Sequence, residues 1–369
     1  MNIAIFGLSL SSSWGNGHAV TYRSLIKGLH TEGHTVHFFE RDADWYRFHR
    51  DLSEWPYCQL HFYRDLSDLA SFHATLQSAD AIIIGTYVRD AGLLFRIMRD
   101  FHSPVLALYD IDTPITLADL RAGRKNVFDQ DMIAICDLYL SFTGGSILDT
   151  LTQEFHARLV RPLYCSVDPD LYKPTALRDK KQRYALSYLG TYSDDRQLSL
   201  ERFLFQSADL HPGLRFIVAG AQYPATIRWP SNVEHCEHVP PSHHPCFYAH
   251  SRTTLNLTRA AMMRAGYSPS IRLFEAASCE TVILTDDWAG LSDFFTPGHE
   301  CLVIRTPDEV NACLSLSEQE LGAIRCAARE RVLAQHTGRK RAQELVVFLE
   351  AAHDRRLLSA EPKSSLHVE

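Results

Sequence analysis

The chain has 369 residues, 46% apolar and 22% charged, with 37 lysines and arginines against 44 acidic residues and a net charge of −7. That composition fits two soluble domains with their own cores and argues against a general electrostatic grip on nucleic acid or an anionic membrane. No apolar run reaches the ~20 residues needed to cross a bilayer, and nine scattered cysteines without a CxxC pair read as reduced thiols of a cytoplasmic protein.

The N-terminus has no basic segment before its apolar stretch, so "MNIAIFGLSL" reads as a first core strand rather than a signal peptide. Apolar runs at 2–8, 35–40, 81–85, 104–110 and 138–143 alternate with helical patterns, as parallel strands buried on both faces require. Ala19, Tyr22, Ile26 and Leu29 recur at helical spacing and predict a helix from about His18 to Thr31. The alternation breaks at "LYCSVDPDLYKP" (163–174), a linker composition. It resumes with strands at 184–190, 214–220, 253–258, 281–286 and 301–304. Ser317 to about Arg356 reads as two helices.

The expected fold class is α/β, with two Rossmann-like domains facing a central cleft. Residues 1–165 form the first domain and 166–340 the second. A helix over 341–356 is expected to cross back to the first domain, and 357–369 to form a flexible tail. Such sheets place ligands at the carboxyl ends of their strands. Two strand-to-helix turns deserve notice there. In "SWGNGHA", Trp14, Gly15, Asn16 and Gly17 precede His18, and the glycines let the backbone approach a ligand closely. "FTGGS" places Gly144 and Gly145 at a second such turn, open to ligand contact or to a plain tight bend. Cys236, His243, His244 and Cys246 invite a zinc reading, but their spacing matches no common zinc pattern.

The segment "AGYSPSIRLFEAASCETVILTDDWAGLSDFFTPGHECLVI" (265–304) resembles the donor-binding segment of GT-B glycosyltransferases, in particular the spore maturation protein CgeB-like family. The likeness extends to "YLGTYSDDRQLSLERFL", "WPSNVEHCEHVPPSHHPCFY" and "TLNLTRAAM", and in the first half to "SSSWGNGHAVTYRSL", "ERDADWY", "LYDIDTPITL" and "SFTGGSILDTL". It implies GT-B architecture, a UDP- or dTDP-type sugar held mainly by the second domain and an acceptor hydroxyl held by the first. No cofactor or metal is implied beyond the nucleotide-sugar co-substrate. "DID" at 110–112 fits a metal-binding DxD spacing, but the two-domain pattern argues against the single-domain, metal-dependent class.

By this resemblance Glu275 accepts hydrogen bonds from the ribose hydroxyls, a role that suits a carboxylate. Arg196, Arg259 and Arg272 stand opposite the diphosphate, where charge builds on the leaving nucleotide. Gly190, Tyr267, Ser268 and Ser270 complete the donor set, with the helix opening at Ser270 offering free amides to phosphate. The base is expected near "EHVPPSHH" (237–244). Two positions depart from the pattern: Tyr267 stands where many such enzymes have a second glutamate, and Glu280 where the turn after the helix has glycine. A side chain there implies a turn built differently.

Inverting members carry a histidine at the place of His18, acting as general base on the acceptor, with an aspartate orienting the ring. Asp110, ending its strand, is the expected partner, with Asp112 next; either could bind acceptor hydroxyls instead. Trp14, Trp45 and Tyr46 offer stacking faces for a sugar. Two alternatives remain: a GT-B-like epimerase or hydrolase of nucleotide sugars, and a non-catalytic nucleotide-sugar-binding relative in surface-layer assembly.

Overall fold

In "NIAIFG", strand β1 (Asn2–Gly7), every residue after Asn2 is buried, as a strand covered on both faces demands. The computed structural model describes residues 1–15, 17–101, 104–124, 126–175 and 183–360. Strands β2 (Thr35–Arg41), β3 (Gln59–Tyr63), β4 (Ala81–Gly85), β5 (Val105–Asp110), β6 (Leu138–Ser141) and β7 (Val160–Pro162) join β1. They make a parallel seven-stranded sheet in the order β3-β2-β1-β4-β5-β6-β7. Strands β8 (Tyr184–Leu189), β9 (Phe216–Ala219), β10 (Val233–Cys236), β11 (Ser251–Asn256), β12 (Val282–Thr285) and β13 (Leu302–Val303) form the second sheet. It is six-stranded and parallel, in the order β10-β9-β8-β11-β12-β13. Both orders reverse at the first strand, between β1 and β4 and between β8 and β11, so each sheet opens a crevice at those carboxyl ends.

Strands β3, β7 and β10, absent from the reading by apolar runs, all lie at sheet edges. One face or end of such a strand meets water, so "QLHFY" and "VEHC" carry polar residues that break the run.

The chain passes from the first sheet to the second after β7 and returns in the Gly338–Ala360 helix, which packs along the Gly17–Thr31 helix. Ala342, Leu345, Leu349 and Ala352 bury its inner face. Arg339 pairs with Glu32, and Arg356 donates to the carbonyl of Pro104. Where the strap begins, the Val167 amide donates to His336 O (3.0 Å) and the Gly338 amide to Val167 O (3.1 Å). The helix runs through Ala360, so residues 357–360 continue it where a tail was expected; 361–369 lie outside the described residues.

The turn after the Ile271–Ser278 helix corrects the expectation drawn from "SCET". Glu280 adopts φ 56°, its amide donates to Ala277 O at 2.9 Å and that of Thr281 to Ala276 O at 2.9 Å. This is the ordinary left-handed helix ending with glutamate in the glycine place. The left-handed conformation costs a side chain about 1–2 kcal/mol, while glycine would gain unfolded-state entropy of about 0.5–1 kcal/mol. Glu280→Gly is therefore expected to stabilise the fold by roughly 0.5–1 kcal/mol, a rise of a few degrees in Tm. A lower Tm would mean that the Glu280 carboxylate, 4.0 Å from Arg329, contributes more than the strain costs.

Candidate functional site

Strands β1, β4, β5, β8 and β11 all end at the interdomain cleft, which holds two adjoining cavities. The first, of about 250 Å³, is walled by Gly190, Thr191 and Ala221 on one side and by His238, Val239, Pro241 and His244 on the other. Glu275 lies in its wall, only 3% exposed. Its carboxylate accepts from Tyr248 OH (3.4 Å) and faces His244 Nδ1 at 3.7 Å, and Tyr172 OH bonds that same nitrogen at 3.2 Å. Burial alone pushes the Glu275 carboxyl up, but His244, Tyr172 and the Arg272 guanidinium outweigh it and hold the pKa below its ordinary value. A buried, ionised acceptor therefore faces the cavity.

Arg196 and Arg272 line both cavities, at their junction. Arg272 Nε donates to the Leu189 carbonyl, Nη1 to Asn256 Oδ1 (3.3 Å), and the guanidinium lies 4.9 Å from the Tyr188 ring centroid. A Cβ at Gly190 would fall 2.5 Å from Arg272 Nη2, so this packing needs glycine. Arg196 donates to the Thr191 carbonyl (2.7 Å), while its buried Nε has no hydrogen-bond partner among the described residues. The Asp195 carboxylate instead accepts from Ser193 and from the Ala260 amide. Burial lowers the Arg196 pKa, and the like charge of Arg272 adds to the effect. Among the described residues neither guanidinium forms an ion pair with a carboxylate. Two arginines crowded together without a close ion pair of their own make a site for an anion.

The second cavity, of about 510 Å³, holds His18, Tyr87, Asp112, Thr258, Arg259, Ser268 and Ser270. The His18 ring lies 5.3 Å from that of Tyr87, whose hydroxyl donates to Asp112 Oδ2 at 2.7 Å. Burial lowers the His18 pKa, and the Asp112 charge opposes that shift; the imidazole stays neutral at pH 7. Tyr87 adopts φ 67°, a strained conformation for a bulky residue, of the kind that gathers at functional sites. Glu40, fully buried at the end of β2, shapes the loop leading to His18. Its carboxylate accepts from the amides of Leu10 (2.6 Å) and Ser11 (2.8 Å) and from the hydroxyls of Ser9 and Ser11. Trp14 continues that loop across the cleft, stacked on His49 (4.8 Å) and packed on His238 (4.7 Å). Gly15 and Gly17 line both cavities; Asn16 lies outside the described residues.

Several expected site residues sit elsewhere. Asp110 is fully buried and accepts from Tyr139 OH (2.5 Å), Thr86 Oγ1 (3.0 Å) and the Asp112 amide (3.1 Å). Burial pushes its carboxyl up to about 6 despite those bonds. It braces the β5 turn, and Asp112, already past the strand, is the aspartate at the cavity. Tyr267 wedges its ring between Gly145 and Gly290, where an added Cβ would come within 2.4 Å of it, and its carbonyl accepts from the Gly144 amide (3.0 Å). Tyr267, Gly144 and Gly145 thus meet at the domain seam, and Gly145 (φ 61°) leaves room for the ring. Ser268 joins that seam through Thr143 (3.1 Å) while still reaching the second cavity. Arg259 lies exposed at the mouth. Of the paired Cys and His, His244 supports Glu275, and among the described residues no three His, Cys, Asp or Glu side chains gather as a metal site. The nine cysteines are free thiols.

Two parallel-sheet Rossmann-like domains facing such a cleft constitute the GT-B fold of glycosyltransferases. A glycosyl transferase-like family model matches residues 196–346, which include Arg196, Arg272 and Glu275. Similar solved structures include HepE of Anabaena in complex with UDP-glucose (TM-score 0.69, 13% identity, covering 95% of this chain and 99% of that one). Sucrose-phosphate synthase of Thermosynechococcus elongatus matches with TM-score 0.62 and 15% identity, over 97% of this chain and 99% of that one. The catalytic domain of starch synthase IV of Arabidopsis thaliana, bound to ADP and acarbose, matches with TM-score 0.68 and 12% identity, over 96% and 99%. No curated protein matches the chain in sequence. Among the described residues no helix is long and apolar enough to cross a membrane.

Proposed function

We propose that this protein is a glycosyltransferase of the CgeB-like kind, working in the cytoplasm. It moves a sugar from a UDP- or dTDP-type donor to an acceptor hydroxyl with inversion, and needs no metal. The observation that carries this reading is the pair Arg196 and Arg272, joined to no acid among the described residues, at the junction of two cavities. Glu275 lies on one side of them and His18 on the other. A nucleotide sugar laid across that junction sets its ribose hydroxyls on Glu275 and its diphosphate between the arginines. Its sugar carbon then faces His18. The acceptor oxygen bonds that carbon as the bond to the diphosphate oxygen breaks. The acceptor proton passes to neutral His18, and the charge on the departing diphosphate meets two guanidiniums. HepE was captured with UDP-glucose and an alpha-glucosyltransferase of the same fold with UDP, which supports a uridine nucleotide here.

The test is a thermal melt with UDP, dTDP and their glucose conjugates. UDP or dTDP at a hundredfold excess over Kd is expected to stabilise the protein by about 2.7 kcal/mol. Glu275→Gln, which keeps the shape but not the charge, is expected to weaken nucleotide affinity by roughly ten- to a hundredfold. If neither nucleotide moves the transition, the donor assignment falls. Sugar released without any acceptor would point to a hydrolase instead.

A further inference from the structure

Leu8, Tyr46 and Tyr87 form a wall common to the His18 cavity and a third cavity of about 350 Å³, which lies at the carboxyl ends of β1 to β4. Nothing in the donor reading uses this third space. Its aromatic lining is Tyr46, Tyr63 and Tyr87, and three arginines reach it, Arg41, Arg64 and Arg89. Arg41 is neutralised by Asp90 at 2.7 Å. The two acids in the lining are also taken, Asp42 by Arg47 (2.5 Å) and Arg50 (2.8 Å), and Asp44 by Arg47 (3.2 Å). Arg89 stands 3.9 Å from Asp90, which Arg41 already holds. Arg64 forms no ion pair among the described residues, because its neighbours Asp65 and Asp68 spend their carboxylates on the cap of the Leu66–Phe72 turn. Arg64 and Arg89 therefore reach the cavity with guanidinium donors that no close ion pair among the described residues takes up, the one contact being that of Arg89 with Asp90 at 3.9 Å.

We propose that this cavity is the acceptor subsite and that the acceptor is a sugar bearing an anionic substituent, a phosphate or a carboxylate. The proposal rests on the reading of His18 as the residue beside the reacting carbon. Tyrosine faces and hydroxyls suit a sugar ring, which is apolar on its faces and polar at its rim. Arg64 and Arg89 hold the anion with forked hydrogen bonds. The shared wall of Leu8, Tyr46 and Tyr87 sets that sugar beside the His18 cavity.

The experiment uses the full chain saturated with UDP and measures calorimetric binding of glucose, glucose 6-phosphate and glucuronate. At least one anionic sugar is expected to bind about tenfold or more tightly than glucose, the effect of charge-assisted bonds at a partly exposed site. The Arg64→Gln/Arg89→Gln double variant alters two exposed side chains. It is expected to abolish the preference and leave UDP affinity unchanged. Equal binding of all three sugars, or no binding of the anionic ones to a protein that binds UDP, overturns the proposal. A preference that survives in the double variant overturns the assigned place. Failure to bind UDP at all strikes the donor reading first and removes this one with it.

Discussion

Arg272→Ala is expected to weaken UDP binding by roughly a hundred- to a thousandfold, with donor turnover falling at least as far. Two charge-assisted hydrogen bonds to phosphate are worth about 1.5–3 kcal/mol each, and a donor aimed at charge developing in the transition state about 2.7–4 kcal/mol. The residue is already placed for this work, because Leu189 and Asn256 fix the guanidinium from behind and Gly190 lets it lie flat against the loop. The same supports give the variant a second, separable effect. Asn256 loses a buried partner, which costs about 1–3 kcal/mol in the unliganded protein, although its Nδ2 keeps its bond to Thr285 (3.0 Å). Arg272→Lys separates the two, since it keeps a charge but not the fork. It is expected to retain nucleotide binding weakened about tenfold, with turnover reduced further. Calorimetry with UDP on variants whose circular dichroism matches the parent decides the matter. An Arg272→Ala protein that folds and binds UDP like the parent would place the diphosphate elsewhere.

What could be read in advance follows how contiguous each feature is in sequence. Runs such as "NIAIFG" and "AIIIG" declare central strands because both faces are covered, while β3, β7 and β10 at the edges carry the polar residues that solvent permits. Arg272 and Glu275 stand one turn apart on one helix, and His18 opens another, so local pattern and family likeness point to them directly. The groups that hold them do not share that advantage. Glu40 and Asn256 come from two strand ends, Tyr87 from a loop and His244 from the start of a helix, and only the tertiary fold brings each beside its partner. The exchange of Asp112 for Asp110 has a similar origin. Residues two apart share a face within a strand, but β5 ends at Asp110, so the next two residues turn and carry Asp112 into the cleft. The packing of Tyr267 has a related origin. Its glycine neighbours lie at positions 145 and 290, far apart in sequence, and the ring fills the seam between them.

His18→Ala is expected to lower transfer by about a hundred- to ten-thousandfold while leaving UDP affinity unchanged, because the ring stands beyond the arginines and outside the nucleotide cavity. The pH profile gives a second readout that a purely structural role would not move. Burial disfavours the imidazolium and sets the His18 pKa below its ordinary 6.5. A base must be neutral to accept the proton, so transfer is full at neutral pH and falls as pH drops through that lowered pKa, giving an acid limb below 6.5. Asp112 pulls the other way, its charge favouring the protonated ring. Asp112→Asn removes that charge and is expected to move the acid limb to still lower pH, whereas a general loss of packing would lower the rate at every pH alike. The variant also weakens the hold on Tyr87, whose hydroxyl now donates to Asp112 at 2.7 Å, so part of the loss is expected in turnover even at neutral pH. Full transfer by His18→Ala, or an acid limb that stays in place when Asp112 is neutralised, would take the histidine out of the proton transfer and leave it as a wall of the cleft.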